Sequence, residues 1–312
     1  MHESTFAFGP DQGLVGTVTH ADSPNPTSTG DLGMILFNAG VVSRTGPHRI
    51  NVKLARRLAA QGVSTIRFDL HGMGDSRRPD GRLDYRRQVV ADLQAAMDAL
   101  QRQAGVSTVA LLGFCSGALP SYWAAQADAR VRHIILYDAF DLQTRRSRLR
   151  YLALRLRRHG LASGAVMLYL RRAFGALRAL PQRWRAGAAV DVEPQGDDRP
   201  SLPDLARGLG ELVGRGVHVS VLHSGADFSN VNHAEQIAEA FGFARNSGVA
   251  PRTGFLASID HIMTSVNAQT AFVDWICSDV LGERGVVAAP RAARPPTLTM
   301  SASAPTTDSA GR

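Results

Sequence analysis

The sequence predicts an α/β fold, a mostly parallel sheet flanked by helices, with a helical insertion. Three observations carry that expectation. Short apolar runs alternate with segments of helical period along most of the chain, the pattern of strands crossed over by helices. The alternation breaks once, over residues 141–210. A glycine-flanked turn at residues 113–117 stands between a strand pattern and a helix pattern. With 312 residues, 44% hydrophobic and 20% charged, the chain is long and apolar enough to bury a full core without disulfides or metals.

The elements follow in order. Residues 5–19 read as an opening strand pair turning around Gly9-Pro10 and Gly13, and residues 33–38 as a buried strand. Residues 47–60 read as a helix, with Pro47 in its first turn and Gly62 past its end. A strand over 63–69 is followed by a glycine-rich turn, then a helix over 82–104 with Leu83, Val89, Val90, Leu93, Met97 and Leu100 near helical spacing. Strand 107–114, helix 116–127 and strand 131–137 come next. Pro120 falls near the first turn of its helix, where the missing N–H costs little. After the break come strand 217–223, helix 231–243, strand 252–259 and helix 267–282. The expected division is a core of residues 1–140 and 211–285, a lid insertion at 141–210, and a disordered Ala/Pro/Ser/Thr tail at 286–312.

Charge is concentrated in the insertion. Residues 142–190 hold 12 Arg and no Asp or Glu; removing those 12 from the net +8 leaves −4 elsewhere. Two stretches are amphipathic: 145–158, with Leu149, Leu152 and Leu156, and 164–180, with Val166, Leu170, Phe174 and Leu177. Lys53 is the only lysine, a bias that G- and C-rich coding also produces. No metal site is expected, because no His/Cys/Asp grouping has ligand spacing, and two cysteines exclude a disulfide scaffold. The N-terminus lacks an apolar signal core and no run reaches 18 apolar residues, so a cytoplasmic setting is expected.

The chemistry centres on Gly113-Phe114-Cys115-Ser116-Gly117, a G-x-S-x-G nucleophile elbow with Cys in the Ser position. A nucleophile on a sharp turn requires small residues two before and two after it. The following helix N-terminus favours a thiolate and a developing oxyanion. Ser116 as nucleophile would leave the glycines unsymmetrical, so Cys115 is the expected nucleophile and Ser116 the donor of a backbone N–H to the oxyanion hole. Gly40, in the loop Asn38-Ala39-Gly40-Val41, is the expected second donor, with Ala39 beside it. The acid and histidine should follow in that order. Asp227, after strand 217–223, and His261, after the last strand, fit; Asp138 and Asp141, after strand 131–137, are alternative acids, and Asp260 should point away from its neighbour His261. The glycine-rich turn Asp69 to Ser76 lacks the full dinucleotide fingerprint and its context, so neither phosphate nor any cofactor is expected there. His20, His48, His133, His159, His218, His223 and His233 read as scattered loop, surface or core residues.

These motifs resemble the α/β-hydrolase superfamily over residues 5–283, excepting the insertion. The segment FNAGVVSRTGPHRINVKLARRLAAQGVSTIRFDLHGMGDS is similar to a subgroup labelled serine aminopeptidase-like or exosortase A system-associated hydrolases, with its N-x-G-type loop, GPHR-like helix start and elbow cysteine. The resemblance implies Cys115 as nucleophile, Asp227 as acid and His261 as base. The sequence departs from it at His71, where Arg is usual, and at Ser116, where some members carry another small or an acidic residue.

A cysteine suits activated carbonyls, so hydrolysis of an ester or thioester through a thioester-enzyme is the expected reaction, and peptidase activity is not expected. Acyl transfer from the same site is the adjacent alternative. A catalytically silent binding protein is the alternative from another class. The apolar stripes of the insertion could line an acyl pocket. Its arginines could meet an anionic carrier: CoA, an acyl-carrier protein or an anionic membrane surface. No nucleic-acid partner is expected.

Overall fold

The computed structural model describes residues 2–22, 32–140, 143–159, 200–243 and 251–282. Eight strands form one sheet: β1 (Glu3–Phe8), β2 (Leu14–Thr19), β3 (Leu32–Leu36), β4 (Thr65–Asp69), β5 (Thr108–Phe114), β6 (Val131–Tyr137), β7 (His218–Ser224) and β8 (Arg252–Leu256). Their order across the sheet is β1-β2-β4-β3-β5-β6-β7-β8. The β1–β2 and β2–β4 pairs are antiparallel, and every later pair is parallel.

Helices cover both faces, which is why the central strands read as continuous apolar runs rather than alternating ones. On one face lie α1 (Ile50–Ala59) and a later helix, α7 (Val266–Val280). Leu54, Leu58, Phe272 and Ile276 there meet Met34, Leu36, Ala110, Leu112, Ile135 and Tyr137 of the strands. On the other face lie α2 (Tyr85–Ala104), α3 (Ala118–Ala127) and α5 (Leu202–Gly214), whose Leu93, Met97, Trp123, Leu205 and Leu209 pack on Ile35, Leu111, Ile134 and Leu136. Successive strand residues point to opposite faces, so each strand feeds both cores. A buried side chain of this size stabilises by about 1.5–3 kcal/mol.

Helix ends follow their local chemistry. Asp84 caps α2, accepting from the Arg87 N–H at 2.8 Å, and Gly105 ends it at φ 69°. Ser201 and Ser265 cap α5 and α7 in the same way.

The insertion differs from expectation at its far boundary. Its first helix is α4 (Arg145–His159), as the sequence predicts. The α5 helix, however, spans residue 210 and belongs to the core layer: Leu205, Leu209 and Leu212 are buried there. Gly208 lets it approach α3, since a Cβ at that position would stand 1.8 Å from the Tyr122 hydroxyl. The core layer therefore includes Leu202–Gly214, which the expected 141–210 stretch had partly assigned to the insertion. The expected amphipathic helix over 164–180 and the tail at 286–312 lie outside the described residues. A short helix, α6 (Gln236–Phe241), follows β7.

Candidate active site

The C-terminal ends of β5, β6 and β8 converge on one cluster. Cys115 follows β5 directly and has φ 52°, left-handed for a non-glycine residue, which lifts its side chain out of the strand-to-helix turn. The flanking glycines are sterically required. A Cβ at Gly113 would meet Ala118 Cα, the Gly117 carbonyl and Ser121 Oγ, each at 2.8 Å, and one at Gly117 would press on the Phe37 ring at 3.1 Å. The thiol is exposed and makes a hydrogen bond with His261.

His261 lies in the loop between β8 and α7, and several contacts fix its ring. Its Nδ1–H donates to Asp138 Oδ2 at 2.8 Å, leaving Nε2 for Cys115. The Tyr137 ring stacks on it (centroids 6.1 Å apart, planes at 12°), and Phe114 meets it edge-on at 5.4 Å. The Tyr137 hydroxyl donates to the His261 backbone carbonyl at 3.2 Å and to that of Asp260 at 3.3 Å. Asp260 points away, as expected, accepting from the N–H groups of Ile262 and Thr264.

The acid partner is a correction. Asp227 does not reach His261. It is exposed, and its carboxylate closes its own turn, accepting from Ser229 Oγ at 2.5 Å and Asn230 Nδ2 at 2.6 Å. Asp138 stands beside His261 instead, because Phe114 pairs with Tyr137 across β5 and β6 and the next residues are Cys115 and Asp138. Asp227 lies three residues beyond β7, one strand further away. Ser224, which the sequence reading missed, completes the arrangement: its N–H donates to Asp138 Oδ1 and its hydroxyl to Oδ2, both at 2.7 Å. Asp138 itself holds φ 45°. The alternative acid Asp141 lies outside the described residues.

The electrostatics follow from these contacts. The hydrogen bond to His261 lowers the Cys115 thiol below its ordinary value; burial opposes this, and the Ser116 N–H assists it. The hydrogen bond to Asp138, then that to Cys115, pushes His261 up to about 10 against burial. Burial pushes Asp138 up, but the bonds from His261 and Ser224 outweigh it and hold the carboxyl below its usual range. The set favours a thiolate beside an imidazolium.

The loop after β3 brings Gly40 to the elbow: its N–H donates to Ser116 Oγ at 2.8 Å. The loop is held by Asp69, at the end of β4, which accepts from the Arg44 N–H at 2.7 Å, Asn38 Nδ2 at 3.1 Å and Arg44 Nη1 at 2.5 Å. Gly74, at φ 48°, makes room for this carboxylate, since a Cβ there would come within 2.4 Å of it. The glycine-rich turn thus serves as a scaffold for the Gly40 loop. His71, in the same turn, pairs with Asp92 of α2 at 2.6 Å.

A strand-to-helix elbow at Cys115 on the central strand, with a histidine after β8 of an eight-stranded, mostly parallel sheet, decides the architecture. The chain has the α/β-hydrolase fold. A family described as serine aminopeptidase, S33, matches residues 42–161. Solved structures agree on the fold. An α/β serine hydrolase homologue from Coxiella burnetii is 15% identical, covers 89% of this chain and 98% of its own, and has a TM-score of 0.51. An α/β serine hydrolase without lid from Xanthomonas campestris is 14% identical over 91% and 95%, with a TM-score of 0.51. The meta-cleavage product hydrolase from Pseudomonas fluorescens is 13% identical over 90% and 97%, with a TM-score of 0.52. No curated protein matches the sequence. Family match and fold support a hydrolase. Among the described residues no helix is long and apolar enough to cross a membrane, and no group of three or more His, Cys, Asp or Glu could hold a metal ion.

Proposed function

We propose that the protein is an acyl hydrolase acting on activated esters or thioesters through a Cys115 thioester, with His261 as acid and base and Asp138 as the acid that orients it. The observation that carries this reading is the continuous chain from Cys115 through His261 to Asp138, with His261 Nδ1 2.8 Å from the carboxylate. The Cys115 thiolate adds to the substrate carbonyl, and the oxyanion forms beside the Ser116 N–H and the Gly40 loop. His261 Nε2–H protonates the departing alkoxide or thiolate as the C=O re-forms. Water then attacks the thioester, giving its proton to Nε2, and the acid leaves as the thiolate is restored.

Val41, beside Gly40, is 90% exposed, and Ile262, beside His261, is 45% exposed, so the two loops that bring Gly40 and His261 to the elbow each present an apolar side chain suited to an acyl group. Arg145, Arg148, Arg150 and Arg157 of α4 are exposed and make no ion pair with a described residue, whereas Arg146 pairs with Glu239 at 2.5 Å. We assign them to the anionic portion of an acyl carrier, CoA or an acyl-carrier protein, with an anionic membrane surface as the alternative to be tested.

The test is intact-protein mass after brief mixing with acyl-CoA and activated esters, wild type against Cys115→Ala and Ser116→Ala. The reading predicts an acyl adduct or turnover that disappears in Cys115→Ala. Turnover that survives that substitution would exclude Cys115 as nucleophile. Products formed with added amine or alcohol acceptors separate hydrolysis from transfer.

A further inference from the structure

We propose that the Ser116 side-chain hydroxyl, aligned by the Gly40 N–H, is the second donor to the oxyanion, so that Gly40 acts through this hydroxyl rather than on the substrate itself. The inference rests on the Cys115 thioester reading.

Gly40 occupies the place where a loop N–H would serve the oxyanion directly, but its single hydrogen is engaged. It points at Ser116 Oγ, 2.8 Å away. The bond leaves Ser116 Oγ as acceptor and its own proton unassigned, since the hydroxyl donates to no described residue. Ser116 is exposed, and its backbone N–H already faces the Cys115 sulfur. The backbone donor of Ser116 therefore stands at the nucleophile, and its hydroxyl links that turn to the Gly40 loop. Among the described residues, a Cβ at Gly40 would meet Ser116 Oγ alone, at 4.0 Å.

The scaffold explains why the hydroxyl would be held ready. The Ala39–Val42 bridge and the bonds from Asn38 and Arg44 to Asp69 fix the direction of the Gly40 N–H. An N–H donating to a hydroxyl oxygen polarises the O–H and strengthens it as a donor. When the Cys115 thiolate bonds to the carbonyl carbon, the C=O π pair moves onto oxygen. That oxyanion accepts from the Ser116 N–H and Oγ–H, with no proton transferred. On collapse the pair re-forms C=O, and the leaving group departs with the His261 Nε2 proton.

The experiment compares two reactions of Cys115 in the full chain. Acylation by p-nitrophenyl butyrate builds an oxyanion; alkylation by iodoacetamide, at a saturated carbon, does not. Ser116→Ala is expected to slow acylation by about 10-fold or more while the alkylation rate and its pH profile stay as in wild type, and Ser116→Thr, which keeps the hydroxyl, is expected to restore acylation. Acylation that is unchanged or faster in Ser116→Ala would overturn the assignment, making Ser116 a plug on a directly acting Gly40. Equal slowing of alkylation would overturn it too, by placing the effect on the thiolate. Each of those results keeps Cys115 as nucleophile; ester turnover that survives in Cys115→Ala would overturn the thioester reading along with the donor.

Discussion

The loops after β6 and β7 each carry an aspartate at the same end of the sheet, and they do opposite work. Asp138 directly follows its strand, holds φ 45°, is 13% exposed in its side chain and takes hydrogen bonds from His261 and Ser224. Asp227 sits in a turn beyond Ser224, exposed, and spends its oxygens on Ser229 and Asn230. The difference is one of strand position. Phe114 and Tyr137 are register partners, so the residue after each lies beside the other. Asp227 starts from a strand one place further from β5. Ser224 joins the two loops: it ends β7 but points its hydrogen bonds at Asp138.

Substitutions can break this contrast, from the largest effect to the smallest. Cys115→Ala should remove turnover, by about 10⁴-fold or more, because the remaining groups cannot supply the covalent step. Asp138→Asn should lower kcat by about 10³- to 10⁴-fold, with His261 left in the wrong tautomer, and circular dichroism should show the fold retained. Gly113→Val should give little folded protein, since even a Cβ there stands 2.8 Å from two backbone atoms and a hydroxyl; thermal melting of the soluble fraction checks it. Asp227→Ala should cost about 1 kcal/mol through its turn in a urea melt and leave kcat within about threefold of wild type.

The pH dependence sharpens the contrast further. The proposed mechanism needs the Cys115 thiolate and the His261 proton together. It should fall on the acid side as the lowered thiol is reprotonated and on the alkaline side as His261 passes about 10. The stability contribution has a definite sign. His261 is raised above its usual 6.5, so the stabilisation by its pairing with Asp138 is fully present below 6.5 and is lost as pH rises through about 10. The difference in melting temperature between wild type and Asp138→Asn should narrow over that range.

The elbow was legible because its glycines answer a local steric demand that spacing alone displays. The strands were legible to within a few residues for a similar reason: runs such as VRHIILY have no other use than burial on two faces. The acid was not. Chain order from nucleophile to acid to histidine is satisfied by Asp138 and Asp227 alike, and what separates them is register across neighbouring strands, which no local pattern carries. The D-x-S-N stretch from Asp227 was a signal of self-contained turn chemistry, and it pointed away from catalysis. The α5 boundary was missed because a proline and glycines interrupt its pattern, while Gly208 has its reason only in the distant Tyr122. The engagement of Gly40 by the Ser116 hydroxyl likewise joins residues 76 positions apart.

The most direct measurement is the pH profile of iodoacetamide alkylation at Cys115, resolved by peptide mass from Cys277, in wild type, Asp138→Asn and Asp227→Asn. If Asp138 holds His261 against Cys115, wild type and Asp227→Asn will share one profile with thiolate reactivity persisting below the ordinary thiol range, and Asp138→Asn will move it back toward that range. A profile displaced by Asp227→Asn and untouched by Asp138→Asn would contradict the account.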